Sequence, residues 1–303
     1  MLLHVVHETV YDYVPTVKTA QHMAHLRPAH NRRQQVLRHS LAISPEPAQR
    51  GETVDVYGNT RSFFSLQSAH EELKVVADSV VSTAAPALPG SAMAWEEVRE
   101  RMRYHREAAW DPAAEFIFGS PYVPRHEDFI AYARPSFAAG RPLLEAAREL
   151  TARIHADFDY EAEVTDVGTP ALEALALRKG VCQDFAHVML GCLRSLGLPA
   201  RYVSGYLLTT PPPGQPRLVG SDASHAWVSV YLPFGEDDAA GAWADLDPTN
   251  DRFAGEDYVT LATGRDYADV APMRGVIHGG ASHQLHVAVT VTPVDAPPAP
   301  TIA

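Results

Sequence analysis

Cysteine is scarce in this chain: among 303 residues only Cys182 and Cys192 occur. If both lie on one helix, ten residues set them about 15 Å apart at ~1.5 Å per residue. A disulfide needs Cα atoms within about 7 Å, so both thiols are expected to be free, as suits a reducing cytoplasm. Long apolar runs are also missing. No stretch reaches the ~18 residues of a membrane span, and no membrane partner is expected. The opening MLLHVVHETVYDY lacks a basic leader and a long apolar segment, so it reads as a strand rather than a signal peptide. Basic charge is short: 25 Lys and Arg stand against 37 Asp and Glu, a formal charge of −12. That balance argues against nucleic acid or anionic lipid as a partner, because phosphate binding needs a basic face. GxxxxGK[ST], GxGxxG and GxSxG are all absent, which removes the usual signals of nucleotide use and of a nucleophile-elbow serine hydrolase. Neither CxxC nor HExxH occurs, and the fifteen histidines show no zinc spacing. No metal and no cofactor are expected.

What is present is an ordinary globular composition, 46% hydrophobic and 20% charged, enough to bury a core without disulfides. Residues 1–82 read as a β-rich domain, with strand-like segments at 3–11, 37–43, 53–57, 61–66 and 73–80. Gly58-Asn59 reads as a tight turn between two of them. The small, proline-bearing stretch 83–92 reads as a linker. A second domain is expected over 93–270 and a C-terminal strand and tail over 271–303. Helices are expected at 95–105 and 142–155. Another should be capped by Thr169 with Pro170 at its first position and should end at Lys179-Gly180. A further helix should begin at Cys182, because Phe185, Val188, Met189, Cys192, Leu193 and Leu196 recur at three- and four-residue spacing. Strands should follow at 201–209, 225–232 and 242–247. A proline- and glycine-rich loop, 210–224, walls a cleft or merely connects.

Cys182 opens the apolar helix directly after Gly180-Val181. A free thiol is only a few per cent thiolate at neutral pH. The N–H groups and partial positive charge of a helix start favour a thiolate and can also receive an oxyanion. Position alone leaves open the plain reading of a small buried hydrophobe, which is the reading given to Cys192. His225 and Asp247 lie eleven residues before and after Glu236. An antiparallel hairpin centred there would set them directly opposite one another, within reach of an imidazole–carboxylate bond. Asp245, on the same strand face, is the alternative partner, and a surface His–Asp pair of no consequence is the plain reading.

Three segments carry a family resemblance. GVCQDFAHVMLGCLRSLGLPARYVSGYL (180–207) resembles the nucleophile helix and following strand of transglutaminase-like proteins. SHAWVSVYLP (224–233) resembles their histidine strand, and WADLDPTN (243–250) their Asp-Pro-Thr-Asn segment. DVYGNTRSFFSL (55–66) and the rest of 1–82 look like the β-rich N-terminal domain of bacterial members. The resemblance implies an α+β fold with a papain-like core, a nucleophile helix on an antiparallel sheet. It implies Cys182 as nucleophile, His225 as general base and acid, and Asp247 as the orienting carboxylate. The implied activity is thiol-dependent acyl transfer on a peptide or protein amide: hydrolysis first, transfer to an amine as the alternative. A non-catalytic peptide-binding module is the competing class. The pattern departs from papain in having no glutamine over 176–181 to serve as second oxyanion donor. Gln183, Tyr160 and Trp227 are the candidates near the site, each with a plain alternative: helix capping or a core position. Asp184 suits the first helical turn as a cap.

Overall fold

The computed structural model describes residues 1–86, 92–104, 106, 110–209, 224–233, 242–280 and 282–294. In chain order its elements are β1 (Leu2–Ala24), β2 (Gln34–Ser44), β3 (Gln49–Val54), β4 (Thr60–Leu66), β5 (His70–Thr83), α1 (Trp95–Arg101), α2 (Glu127–Ala133), α3 (Leu143–Asp157), β6 (Asp159–Tyr160), α4 (Ala171–Leu177), β7 (Lys179–Gly180), α5 (Cys182–Ser195), β8 (Ala200–Leu207), β9 (Ser224–Leu232), β10 (Ala242–Asp247), β11 (Arg252–Phe253), β12 (Tyr258–Gly264), α6 (Tyr267–Val270), β13 (Met273–Gly279) and β14 (Ser282–Pro293).

β1 organises one half of the molecule. Leu3, Val5, His7 and Thr9 alternate with half-exposed neighbours, as expected of a strand buried on one face. Both edges of β1 are paired. Its first half lies between β5 and β14, and its second half between β4 and β13. The C-terminal region thus supplies two strands where the sequence suggests one, and both return to the first strand of the chain. The second sheet runs β11-β10-β9-β8-β12, all antiparallel.

α5 is the central helix. Gln183 to Ser195 are all buried, with α2, α3 and α4 on one side and β8 and β9 on the other. Each fully buried Leu or Phe of this kind contributes about 1.5–3 kcal/mol. The buried Arg194 closes its C-terminal end, donating to the carbonyls of Ala200 (Nε, 3.0 Å) and Arg265 and to Ser120 Oγ (3.2 Å). Gly197, at φ +82°, then turns the chain out of the helix. Leu3, Val5, Val81, Val289 and Val291 of the first sheet belong to the same apolar cluster as α5. Polar contacts join the two halves as well. The side-chain amides of Gln34 and Asn59 each pair with a peptide of β12, at Thr260 (2.7 Å both ways) and Thr263 (2.8 Å both ways).

Several boundaries differ from the expectations. α1 stops at Arg101 rather than reaching 105. Thr169 does not cap α4, because its hydroxyl accepts from the Asp166 N–H (2.9 Å) in the preceding turn; Pro170 takes the cap position instead. α4 ends at Leu177, with Arg178 in the left-handed region (φ 56°), so Gly180 is not its terminator. Gly180 serves the next helix: it sits at φ +152°, and a Cβ there would collide with the Asp184 carboxylate. The turn at Gly58 matches its expectation, with φ +86° and the Asp55 carboxylate accepting from the N–H groups of Tyr57 and Asn59.

Candidate functional site

Cys182 is the first residue of α5, half-buried and outside any disulfide, while Cys192 is free and wholly buried. The helix start is held by Asp184. Its Oδ2 accepts from the Val181 N–H (2.8 Å) and from Thr165 Oγ1 (2.7 Å), which is the capping role expected from sequence. Burial pushes the Asp184 carboxyl upward, and these donors offset part of that. Cys182 and Gln183 lie in the first turn of α5, so their N–H groups have no carbonyl one turn earlier to bond.

His225 stands near the start of β9 and Asp247 at the end of β10. Nε2 of His225 and Oδ2 of Asp247 are 2.6 Å apart. The two residues are not directly opposed as the hairpin centred on Glu236 predicts. Leu246 pairs with Val228, so Asp247 continues opposite Trp227, and His225 is its diagonal neighbour two residues on. A slip of two keeps the same face toward the site, and the bond forms across the diagonal. Glu236 itself lies outside the described residues, as does all of the proline-rich loop except Ser224. Asp245 is engaged elsewhere, in an ion pair with Arg33 (3.3 Å).

Asp247 is fully buried and saturated with donors. Oδ2 also receives the Tyr258 hydroxyl (2.6 Å) and Asn250 Nδ2 (2.7 Å), and Oδ1 receives the N–H groups of Thr249 (2.8 Å) and Asn250 (3.2 Å). Burial alone would raise this carboxyl; the bonds from His225, Asn250 and Tyr258 hold it below its ordinary value. For His225 burial opposes the charged form. Hydrogen bonds to Asp247 and Cys182, with the attraction of both, outweigh it and raise the imidazole to about 10. Since Nε2 is committed to Asp247, Nδ1 is the nitrogen left for the thiol. Cys182 and His225 line one cavity of about 240 Å³. Sulfur, imidazole and carboxylate thus form a line along which a proton can leave the thiol while the ring stays oriented.

The comparisons with known proteins agree with this architecture. Residues 3–82 match the family model of the bacterial transglutaminase-like N-terminal region, and residues 130–248 match that of the transglutaminase-like superfamily. An uncharacterized Mycobacterium tuberculosis protein, Rv2569c, is 39% identical over 298 residues, covering 96% of this chain and 92% of that one. The chain belongs to the transglutaminase-like superfamily. The crystal structure of a candidate cysteine protease from Cytophaga hutchinsonii superposes on this transglutaminase-like chain with a TM-score of 0.71 at 20% identity, covering 98% of this chain and 93% of that one. That likeness shows the fold, an α+β papain-like core with a β-rich N-terminal part. A protein-glutamine gamma-glutamyltransferase of Pseudomonas aeruginosa is 32% identical over 98 residues, 31% of this chain and 14% of that one.

The remaining candidates fall in different places. Gln183 lines the Cys182 cavity and is buried, its Nε2 donating to the Val167 carbonyl (3.1 Å). Tyr160 is 59% exposed on β6, so it is not a core residue. Its phenol is raised by partial burial and by the nearby Cys182 and Asp184. Trp227 is fully buried against Val203, Ala254 and Tyr258 and serves as the floor under His225, ring centroids 6.1 Å apart. Gly205 is what admits it, since a Cβ there would lie 2.5 Å from the indole. Tyr258 and Asn250 are functional contacts that the sequence does not flag: a strand tyrosine carries no signal of its own, and Asn250 appears only as the end of the WADLDPTN segment. Among the described residues no group of three or more His, Cys, Asp or Glu is placed to hold a metal, and no helix is long and apolar enough to cross a membrane.

Proposed function

We propose that this transglutaminase-like protein is a thiol-dependent acyl-transfer enzyme acting on a peptide or protein amide, with Cys182 as nucleophile, His225 as acid and base, and Asp247 as its orienting carboxylate. The observation that carries the reading is the line of contacts from the thiol through His225 to a buried, fully bonded Asp247. In the first step the sulfur of Cys182 forms a bond to the amide carbonyl carbon. The carbonyl electrons move to oxygen, where the free N–H at the start of α5 receives them, with Gln183 and Tyr160 the side chains at hand for a second contact. As the C–N bond breaks, protonated His225 gives its proton to the departing amine. Water, deprotonated by His225, then attacks the thioester, releasing the acid and restoring the thiol. A raised imidazole suits this order, because the ring must hold a proton when the amine leaves. Both thiols being free fits a reducing compartment, and we place the protein in the cytoplasm.

A second outcome of the same thioester is transfer to an amine. It is favoured by the local match to the Pseudomonas aeruginosa gamma-glutamyltransferase. The two outcomes share the first half-reaction, and product analysis with and without an added alkylamine separates them. Alkylation tests the common part. Iodoacetamide is expected to label Cys182 ahead of Cys192 and to abolish turnover, while a metal chelator leaves the rate unchanged. Full activity after complete labelling of Cys182, or loss on chelation alone, would contradict the reading.

A further inference from the structure

The cavity beside Cys182 is not built by the α5 half alone. One wall belongs to the first and last strands among the described residues: His7, Thr9 and Tyr11 from β1, and Leu285 and Val287 from β14. In the strand register Tyr11 is paired with Leu285 and Thr9 with Val287, so these four side chains form a flat two-by-two patch. Leu285 and Val287 are each 50% exposed although they face a cavity that holds the nucleophile. Tyr267 and Met273 extend the same lining. Among the described residues that line it there is no Asp, Glu, Lys or Arg. A charged side chain entering here would lose water and find, among the described lining residues, no counter-charge beyond His225, which is already paired.

A buried hydrogen-bond chain, Tyr206–His7–Thr9, interrupts the apolar wall. The Tyr206 hydroxyl is buried and lies 2.8 Å from His7 Nδ1, its one acceptor among the described residues. A buried hydroxyl donates a hydrogen bond to the acceptor it has, so Nδ1 accepts without a hydrogen of its own and the ring hydrogen sits on Nε2. Burial lowers His7 to about 4, which keeps the ring neutral with that single hydrogen. Nε2 then donates to Thr9 Oγ1, 3.0 Å away. One lone pair of Thr9 Oγ1 is so used, and its own hydrogen is free to turn into the cavity it lines.

We propose that the β1–β14 wall is the acyl-side subsite: it takes a peptide whose side chain next to the attacked carbonyl is uncharged and apolar, aliphatic or aromatic, and Thr9 donates its hydroxyl to a main-chain carbonyl of that peptide. The proposal rests on Cys182 being the attacking group and adds which acyl donors reach it. It also gives the N-terminal sheet a role in the reaction, as a specificity wall rather than an appendage.

The test uses the full chain and peptidyl chloromethyl ketones that differ in the residue bearing the ketone, Leu or Phe against Glu or Lys. Iodoacetamide, which has no side chain to place, is the reference for the thiol itself. Each reagent forms a bond to the Cys182 sulfur with loss of halide, so rates are read by intact mass. The Leu and Phe reagents are expected to label Cys182 roughly 10-fold or more faster than the Glu and Lys reagents. Thr9→Val should lower the ratio of the Leu-reagent rate to the iodoacetamide rate by roughly 10-fold. Leu285→Asp, at an exposed position, should lower the same ratio and raise that of the Lys reagent. Equal rates across the four ketones, or unchanged ratios in both variants, would overturn the subsite while leaving a reactive Cys182 in place. Failure of iodoacetamide to label Cys182 would overturn the thiol chemistry, and the subsite with it.

Discussion

The imidazole of His225 is poised between two opposing effects, burial and its bonded partners, and the partners win. Asp247→Asn removes the carboxylate's charge and leaves at most a neutral amide oxygen to accept from Nε2, so burial dominates and the His225 pKa falls from about 10 to its ordinary value or below. The alkaline limb of activity should move to lower pH by several units, and the rate should drop roughly 100-fold or more. A ring-proton titration of His225 by NMR in the two proteins checks it. At this scale much was legible from sequence. Cys182, His225 and Asp247 were singled out by residue type, order and resemblance. Tyr258 was not, because a tyrosine in a β-strand looks the same whether its hydroxyl is idle or, as here, bonded to a buried carboxylate. Asn250 lay in view but without a role, since a side chain three residues past an aspartate can turn several ways.

The element that sets the site is α5. Cys192 falls in its buried stripe as the periodicity suggests, and burial pushes that thiol well up. The helix depends on both ends: Asp184 at the start and Arg194 at the finish. Arg194→Ala would leave the carbonyls of Ala200 and Arg265 without their donor and open a void in the core. It is expected to cost about 3–5 kcal/mol of stability, read as a lower urea midpoint. A loss under 1 kcal/mol would mean that water replaces the guanidinium. The helix itself was legible because six apolar residues repeat at helical spacing. The hairpin register was not. A symmetric turn about Glu236 was the simplest assumption, and the β9–β10 ladder runs two residues away from it. Alternation fixes which face a residue occupies but cannot tell a pairing from one slipped by two.

Over the whole molecule, segments far apart in the sequence meet: β14 pairs with β1 and lines the same cavity as Cys182. Sequence suggested a separate final strand, because period and composition say nothing of which distant strand a segment will pair with. Packing across the two sheets and α5 buries His7, His22 and His187 as neutral rings, lowered to about 4, 4 and 3 by burial. Their unfolded forms take up protons near pH 6.5 while the folded forms do not, so stability falls as pH drops from 6.5 toward 4. His225 acts in the other direction. Its raised value gives stability that is complete below pH 6.5 and lost as pH rises through about 10. Denaturation midpoints across pH should therefore peak near neutrality and decline on both sides. A midpoint constant from pH 4 to 6.5 would show that the three buried rings are charged in the native state.

The most direct measurement of the central claim is the mass of the enzyme caught in mid-reaction. The protein is mixed with an activated peptide ester or a peptide-amide library, quenched in acid within seconds and digested. The account predicts one acyl group on the peptide that carries Cys182, chased off by water or an amine, absent in Cys182→Ala and slow to form in His225→Ala. Acylation at another residue, or product formation by the Cys182→Ala protein, would contradict it.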